Sequence, residues 1–229
     1  MKVANLTESE DLSLRAGNAG CTEIPITPEE TFINDVYSSM DTATADGLDL
    51  LRSEDGIEPT CRAGCAHCCR YHILTNSAEV HTLVQYLKRE WSAEQIDALQ
   101  LRTQRWHEWD SARPGRRRDV GGATGDPSHY DHSCPLLVDE QCSAYAVRPA
   151  VCRAHFVTSA AELCSTANDP LSTEQVPSVV TSLVEANDPF RKAIRERIEG
   201  GGVRFSQAAT LLPQGLALEM GWDFAVGAQ

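Results

Sequence analysis

A chain of 229 residues with 41% hydrophobic content is long enough to bury a full core. Its 33 Asp and Glu against 20 Lys and Arg give a net charge of -13, which repels phosphate backbones and sets general nucleic-acid binding aside. Met1 to Ser9 is polar and acidic where a secretory leader needs a basic start and an apolar stretch, and no run reaches membrane-spanning length; a cytoplasmic protein without a membrane partner is expected.

Residues 1–26 show no sustained period and are expected to be a flexible segment, with Cys21 a free thiol outside any site. Thr27-Pro28-Glu29-Glu30 forms a capping box with proline at the first helical position, and Phe32, Val36 and Met40 follow at helical spacing. The turn-rich Ser53 to Thr60 then delivers the chain to Cys61-Arg62-Ala63-Gly64-Cys65-Ala66-His67-Cys68-Cys69. Asn76-Ser77-Ala78-Glu79 reads as a second capping box, ahead of a helical stripe of Val80, Leu83, Val84 and Leu87. Glu79 is expected to cap rather than ligate, and His81, off the stripe, to lie at the surface. Ser92 to Gln95 starts a third helix, on which Ile96, Leu99, Trp106 and Trp109 form the apolar face.

Arg113 to Ser133 carries Pro-Gly, Gly-Gly and Gly-Asp-Pro and reads as a long loop, its Arg116-Arg117-Arg118 run solvated. His129 and His132 end it, close enough to Cys134 for ligation but more simply read as solvated loop histidines. Beyond Cys164, Val176 through Ile198 suggests two helices about a turn at Asn187-Asp188-Pro189. Gly200-Gly201-Gly202 stops the second, and a last helix is expected from Ser206 through Met220. The fold class expected is mainly α: a single compact helical domain over 27–229, its cysteine-rich metal site formed by loops and helix ends in a core of residues 61–164.

Four thiols and an imidazole within nine residues are a metal-site signal, because C-x3-C or C-x2-C spacing lets both sulfurs reach an ion about 2.3 Å away. Gly64 loosens the intervening turn. Cys68 and Cys69 cannot easily grip one ion, since neighbouring side chains diverge. They serve two metals, or one ligates and the other lies alongside. Nine cysteines, an odd number, weaken a disulfide framework.

After Cys134-Pro135-Leu136-Leu137 come Cys142, Tyr145, Arg148-Pro149, Cys152-Arg153, His155 and Cys164. The order C-x3-C-x2-C-C, then C-P-x-L, then C-x-x-Y-x-x-R-P-x-x-C-R, resembles the cysteine-cluster family described as zinc- or iron-chelating proteins and often called YkgJ-like. The likeness runs from about Cys61 to Cys164. It implies a mainly helical metal-binding domain with ligands drawn from Cys61, Cys65, Cys68, Cys69, Cys134, Cys142 and Cys152, with Cys164 as an eighth cluster cysteine. It does not imply one activity: a flagellin lysine methylase with a similar pattern is associated with an iron–sulfur cluster but has sequence beyond this domain. Leu136 and Ala144 stand where larger apolar residues are frequent, a change of packing.

Seven or eight thiols exceed the four of one tetrahedral zinc site, so two metals, a cluster, or unligated cysteines are implied. Eight thiolates around two divalent ions keep a net negative charge that Arg62, Arg70, Arg148 and Arg153 could offset. Surface salt bridging is the simpler role for Arg62 and Arg70. Arg148, Arg153 and Tyr145 are the cofactor-binding candidates, with core packing the simpler role for Tyr145. A nucleophilic Cys152–His155 pair is outweighed by ligation, which adds His155 to the metal candidates. No nucleotide-loop or hydrolase-elbow motif is present, and no catalytic residue is assigned. Two functions stand: a structural or metal-handling zinc protein, and a reactive iron or iron–sulfur centre acting on a small molecule or peptide. An enzyme would be an iron-dependent oxidoreductase or a methylase-like modifying enzyme. Metal ions are the expected partners.

Overall fold

Helix α1 (Pro28–Leu50) starts at its capping box: the Thr27 hydroxyl accepts the Glu30 N–H at 3.2 Å, and Glu30 Oε2 accepts the Thr27 N–H at 3.0 Å. This computed structural model describes residues 24–62, 64–112, 133–165, 177–200 and 210–224. Residues 1–23, with Cys21, and 113–132, with His129, His132 and Arg116 to Arg118, lie outside the described residues. The inner face of α1 buries Ile33, Val36, Tyr37 and Met40. A π-helical turn, Leu51–Asp55, ends it.

Strand β1 (Leu74–Thr75) leads into α2 (Ser77–Glu90), whose cap Asn76 accepts the Ala78 and Glu79 N–H groups, both at 3.0 Å. Its predicted stripe of Val80, Leu83, Val84 and Leu87 is buried. Helix α3 (Ala93–Ala112) is opened by the reciprocal Ser92 and Gln95 contacts, and it buries Leu99 and Trp106, against which Trp109 stacks at 5.7 Å. Then come β2 (Leu137–Val138), β3 (Gln141–Cys142), α4 (Ala150–Arg153), α5 (Thr181–Ala186), α6 (Asp188–Gly200), β4 (Thr210–Leu211) and α7 (Leu212–Met220). The expected pair about Asn187 is present as α5 and α6. Asn187 is buried and donates to Thr44 Oγ1 at 3.1 Å, fastening the turn to α1.

Two expectations are corrected. The helix predicted from Ser206 begins at Leu212, because Thr210 and Leu211 are taken by antiparallel pairing with Thr75 and Leu74, and Pro213 suits only a first turn. His81 is buried at 3% exposure, its Nδ1 2.7 Å from Glu219 of α7. Off the stripe of α2 it still faces α7, which covers that side of the helix.

Helix α2 carries two apolar clusters. Val80, Leu83 and Leu87 meet Leu99 of α3, Leu136, and Leu212 and Leu216 of α7; Ala78 joins Ile33, Met40, Ala150 and Ile194 on the other side. The architecture is mainly α, with α1 and α7 packed on α2 and two-residue strands as clasps. Gly215 makes the α7 contact close: a Cβ there would lie 2.8 Å from Val80 Cγ2. Among the described residues no helix is long and apolar enough to cross a membrane. Replacing Glu219 with alanine takes the His81 ring's carboxylate away inside the core and should cost about 1–3 kcal/mol in chemical denaturation.

Candidate metal centre

The first cysteine segment is fastened to the chain after α4. Thr60 donates its N–H to Val157 O at 2.9 Å and its hydroxyl to Ser159 O at 2.6 Å, and the Val157 N–H points back to Cys61 Sγ at 3.3 Å. Gly64 has a φ of 83°, and the turn closes with Cys65 N–H on Arg62 O at 3.0 Å. A 3-10 turn, His67–Arg70, then packs against a second one, Ala161–Ser165, that carries Cys164.

The second segment joins the first through the backbone. The Cys134 N–H donates to Cys69 O at 2.8 Å, and Leu137 N–H returns to Cys134 O at 2.9 Å. Strands β2 and β3 set Cys142 opposite Leu137 across the two-residue turn Asp139-Glu140, both with positive φ, 50° and 56°. That conformation matches hairpin twist but is strained for residues with a Cβ. Val147 and Pro149 then turn the chain into α4, which bears Cys152.

The eight described cysteines are free thiols; Cys164 is buried and the others are half-buried. They form two electrostatic neighbourhoods. Cys61 and Cys164 feel Cys65 and Cys68, whereas Cys134, Cys142 and Cys152 feel one another or Cys68. Cys68 belongs to both. Burial pushes Cys134 and Cys152 up to about 12 and raises Cys61, Cys142 and Cys164 as well. Contact with the Cys69 thiol, followed by burial, raises Cys68 further. Burial thus favours the protonated form of these thiols, and metal binding must expel protons.

The cationic candidates divide. Arg148 and Arg153 lower Cys142, and Arg148 lowers Cys152. Arg153 is 1% exposed, donates to the Arg148 and Ala146 carbonyls, pairs with Asp41 at 2.5 Å and lies over the Tyr37 ring at 4.0 Å. Arg62 is exposed, and Arg70 donates to Ser133 Oγ at 2.8 Å and reaches Glu140 at 4.0 Å, the surface salt bridging expected of Arg70. Tyr145 departs from core packing: it is 63% exposed, with the Arg148 guanidinium 3.7 Å above its ring. Leu136 and Ala144 are buried packing residues.

Tyr71 was not singled out by the sequence. Its ring meets His155 edge-on at 5.6 Å and its hydroxyl faces the Cys164 thiol without an ordinary hydrogen-bond geometry; burial and then Cys164 raise the Tyr71 hydroxyl, which in turn offsets part of the rise that burial gives Cys164. Its place two residues after Cys69 was the one available signal. Among the described residues His155 Nε2 is buried without a hydrogen-bond partner, and burial lowers the imidazole's pKa, keeping it neutral.

Free soft donors, together with an orphaned neutral imidazole nitrogen on the Tyr71 side of Cys164, fit a zinc or iron site. The donors are gathered but not closed: among the described residues no group of three or more Cys, His, Asp or Glu side chains is set to hold an ion. A family model described as a "putative zinc- or iron-chelating domain", with the signature CxxCxxCC, matches residues 60–175, half of the chain. The chain belongs to this family. Its cysteine-cluster domain is accordingly a zinc- or iron-binding one. One residue more separates the first two cysteines here than in the signature, and the left-handed Gly64 lies in that longer turn. No curated protein and no solved structure matches the chain.

Proposed function

We propose that Cys61, Cys65, Cys68, Cys69, Cys134, Cys142, Cys152, Cys164 and His155 supply the ligands of an iron-containing centre, iron–sulfur included, that stays open to exchange or to reaction with a small molecule or peptide. The observation that carries this reading is the buried, unpartnered Nε2 of His155: a neutral imidazole so placed is a ligand in waiting, and a buried acceptor left unused is costly. The two thiol neighbourhoods meeting at Cys68 favour more than one metal or a cluster, since one tetrahedral ion needs four ligands. Iron held there supplies electron transfer or Lewis acidity. Arg148 and Arg153 temper the charge of the thiolates, and Tyr145 with Arg148 offers an exposed edge to a cofactor or substrate. A reducing, cytoplasmic setting suits free thiols at this density.

A closed structural zinc is the second reading, favoured by the cavity beside Cys134. At about 10 Å³, lined by Tyr71, His72, Trp106 and Leu212 among others, it has room for no more than a water. Replacing His155 with alanine separates the two. Anaerobically purified variant protein should lose metal affinity by at least about tenfold and change its absorption spectrum. Full metal retention, an unchanged spectrum, and no response to small thiols or oxygen in variant or parent would leave the inert zinc reading standing.

A further inference from the structure

Glu79 is 6% exposed, and both of its carboxylate oxygens are engaged. Oε1 accepts the Tyr37 hydroxyl at 3.0 Å and the Ala150 N–H at 2.7 Å. Oε2 accepts the Asn76 side-chain amide at 2.6 Å and the Thr75 hydroxyl at 3.3 Å. Ala150 is the first residue of α4, and Cys152 lies two residues on. This four-residue helix begins at Pro149, which offers no side-chain cap. The carboxylate of another helix therefore does the capping.

The other end of α4 is held from the same layer. Arg153 donates to the Arg148 and Ala146 carbonyls and pairs with Asp41, and its guanidinium rests on the Tyr37 ring whose hydroxyl binds Glu79. Tyr37 thus joins the two buried charges, one through its hydroxyl and the other through its ring face. Cys152 stands between these two anchors. An apolar side chain could fill the Glu79 position without the cost of a buried carboxylate. Packing alone does not call for this residue.

We propose that Glu79 is a positioning residue of the metal centre: by holding the first amide of α4 it fixes the direction in which Cys152 presents its sulfur. This rests on the reading of Cys152 as a ligand. Glu79 stays off the metal and acts through the backbone, as groups behind ligands do when they orient them.

The test uses the full chain loaded with cobalt(II), whose thiolate charge-transfer absorption reports sulfur ligation, with affinity measured against a chelator. Glu79→Met keeps the length of the side chain and removes both acceptors; Glu79→Gln keeps one. Glu79→Met should lose affinity by about tenfold or more and lose the same part of the thiolate absorption as Cys152→Ser, whereas Glu79→Gln should retain the parent spectrum. If Glu79→Met does not fold, Tyr37→Phe carries the comparison, removing one hydrogen bond on Oε1 for a loss of about threefold. A parental spectrum and affinity in Glu79→Met, or in Tyr37→Phe where that stands in, overturns the inference, as does a Glu79→Gln protein as impaired as Glu79→Met. Cys152→Ser identical to the parent would instead remove the ligand reading beneath it. Loss in Cys152→Ser without loss in Glu79→Met sinks the positioning role alone.

Discussion

Stripping the bound metal with a chelator lowers the melting temperature by at least about 10 °C. Structural zinc contributes about 10–16 kcal/mol of binding energy in small domains, and at this chain length about 1 kcal/mol moves the midpoint by about 2–4 °C. A few kcal/mol of coupling is therefore enough. The structure explains why coupling is expected: the thiols are gathered by turns, hairpin and short helices, but among the described residues no three metal-binding side chains close a site. Closing it requires an ion to replace protons on sulfurs that burial holds high. Scanning calorimetry of metal-loaded and demonstrably metal-free protein decides the matter. Superimposable transitions would mean that metal and fold are independent.

Replacing Cys68 with serine should remove more metal than any other single cysteine change. Its thiol is within electrostatic reach of Cys61 and Cys164 on one side and of Cys134, Cys142 and Cys152 on the other. Loss of this shared donor should deplete both neighbourhoods, whereas loss of Cys164 should deplete one. Metal analysis of anaerobically purified Cys68→Ser is expected to give less than about half the parental content, with Cys164→Ser between the two, because second metals bind poorly once a shared thiolate is gone. Equal contents in the two variants would deny Cys68 its place at the junction.

The helices were legible where local chemistry decides them. The Thr27 and Ser92 boxes, the Asn76 cap and the Val80-Leu83-Val84-Leu87 stripe need only neighbours within a turn or two, and each helix stands where it was expected. His81 was misread because its partner, Glu219, is 138 residues away. Arg153 stood beside a cysteine in the sequence, yet its burial depends on Asp41, 112 residues upstream. Tyr145 broke the rule that aromatics go inside because Arg148, three residues on, covers its ring at the surface. Cysteine density announced a metal site, while the meeting of the two segments through Cys134 and Cys69 and the capping of α4 by Glu79 are tertiary facts. A ligand set drawn from both segments implied that they meet, but spacing carries no trace of the amide that joins them or of the α4 cap.

Both apolar clusters lean on α2, and this governs how the molecule opens. Separating either cluster strips a face from that helix, so the two are expected to open as one cooperative unit whose amides exchange slowest with solvent. The segment from Cys134 to Cys152 places Leu136, Ala144 and Val147 in one cluster and Ala150 in the other, whereas the short turns that carry Cys61 to Cys69 and Cys164 add no residue to either. Their local opening costs only part of the global free energy. Metal held by these turns is therefore expected to enter and leave through local opening, while the helices that frame them stay folded.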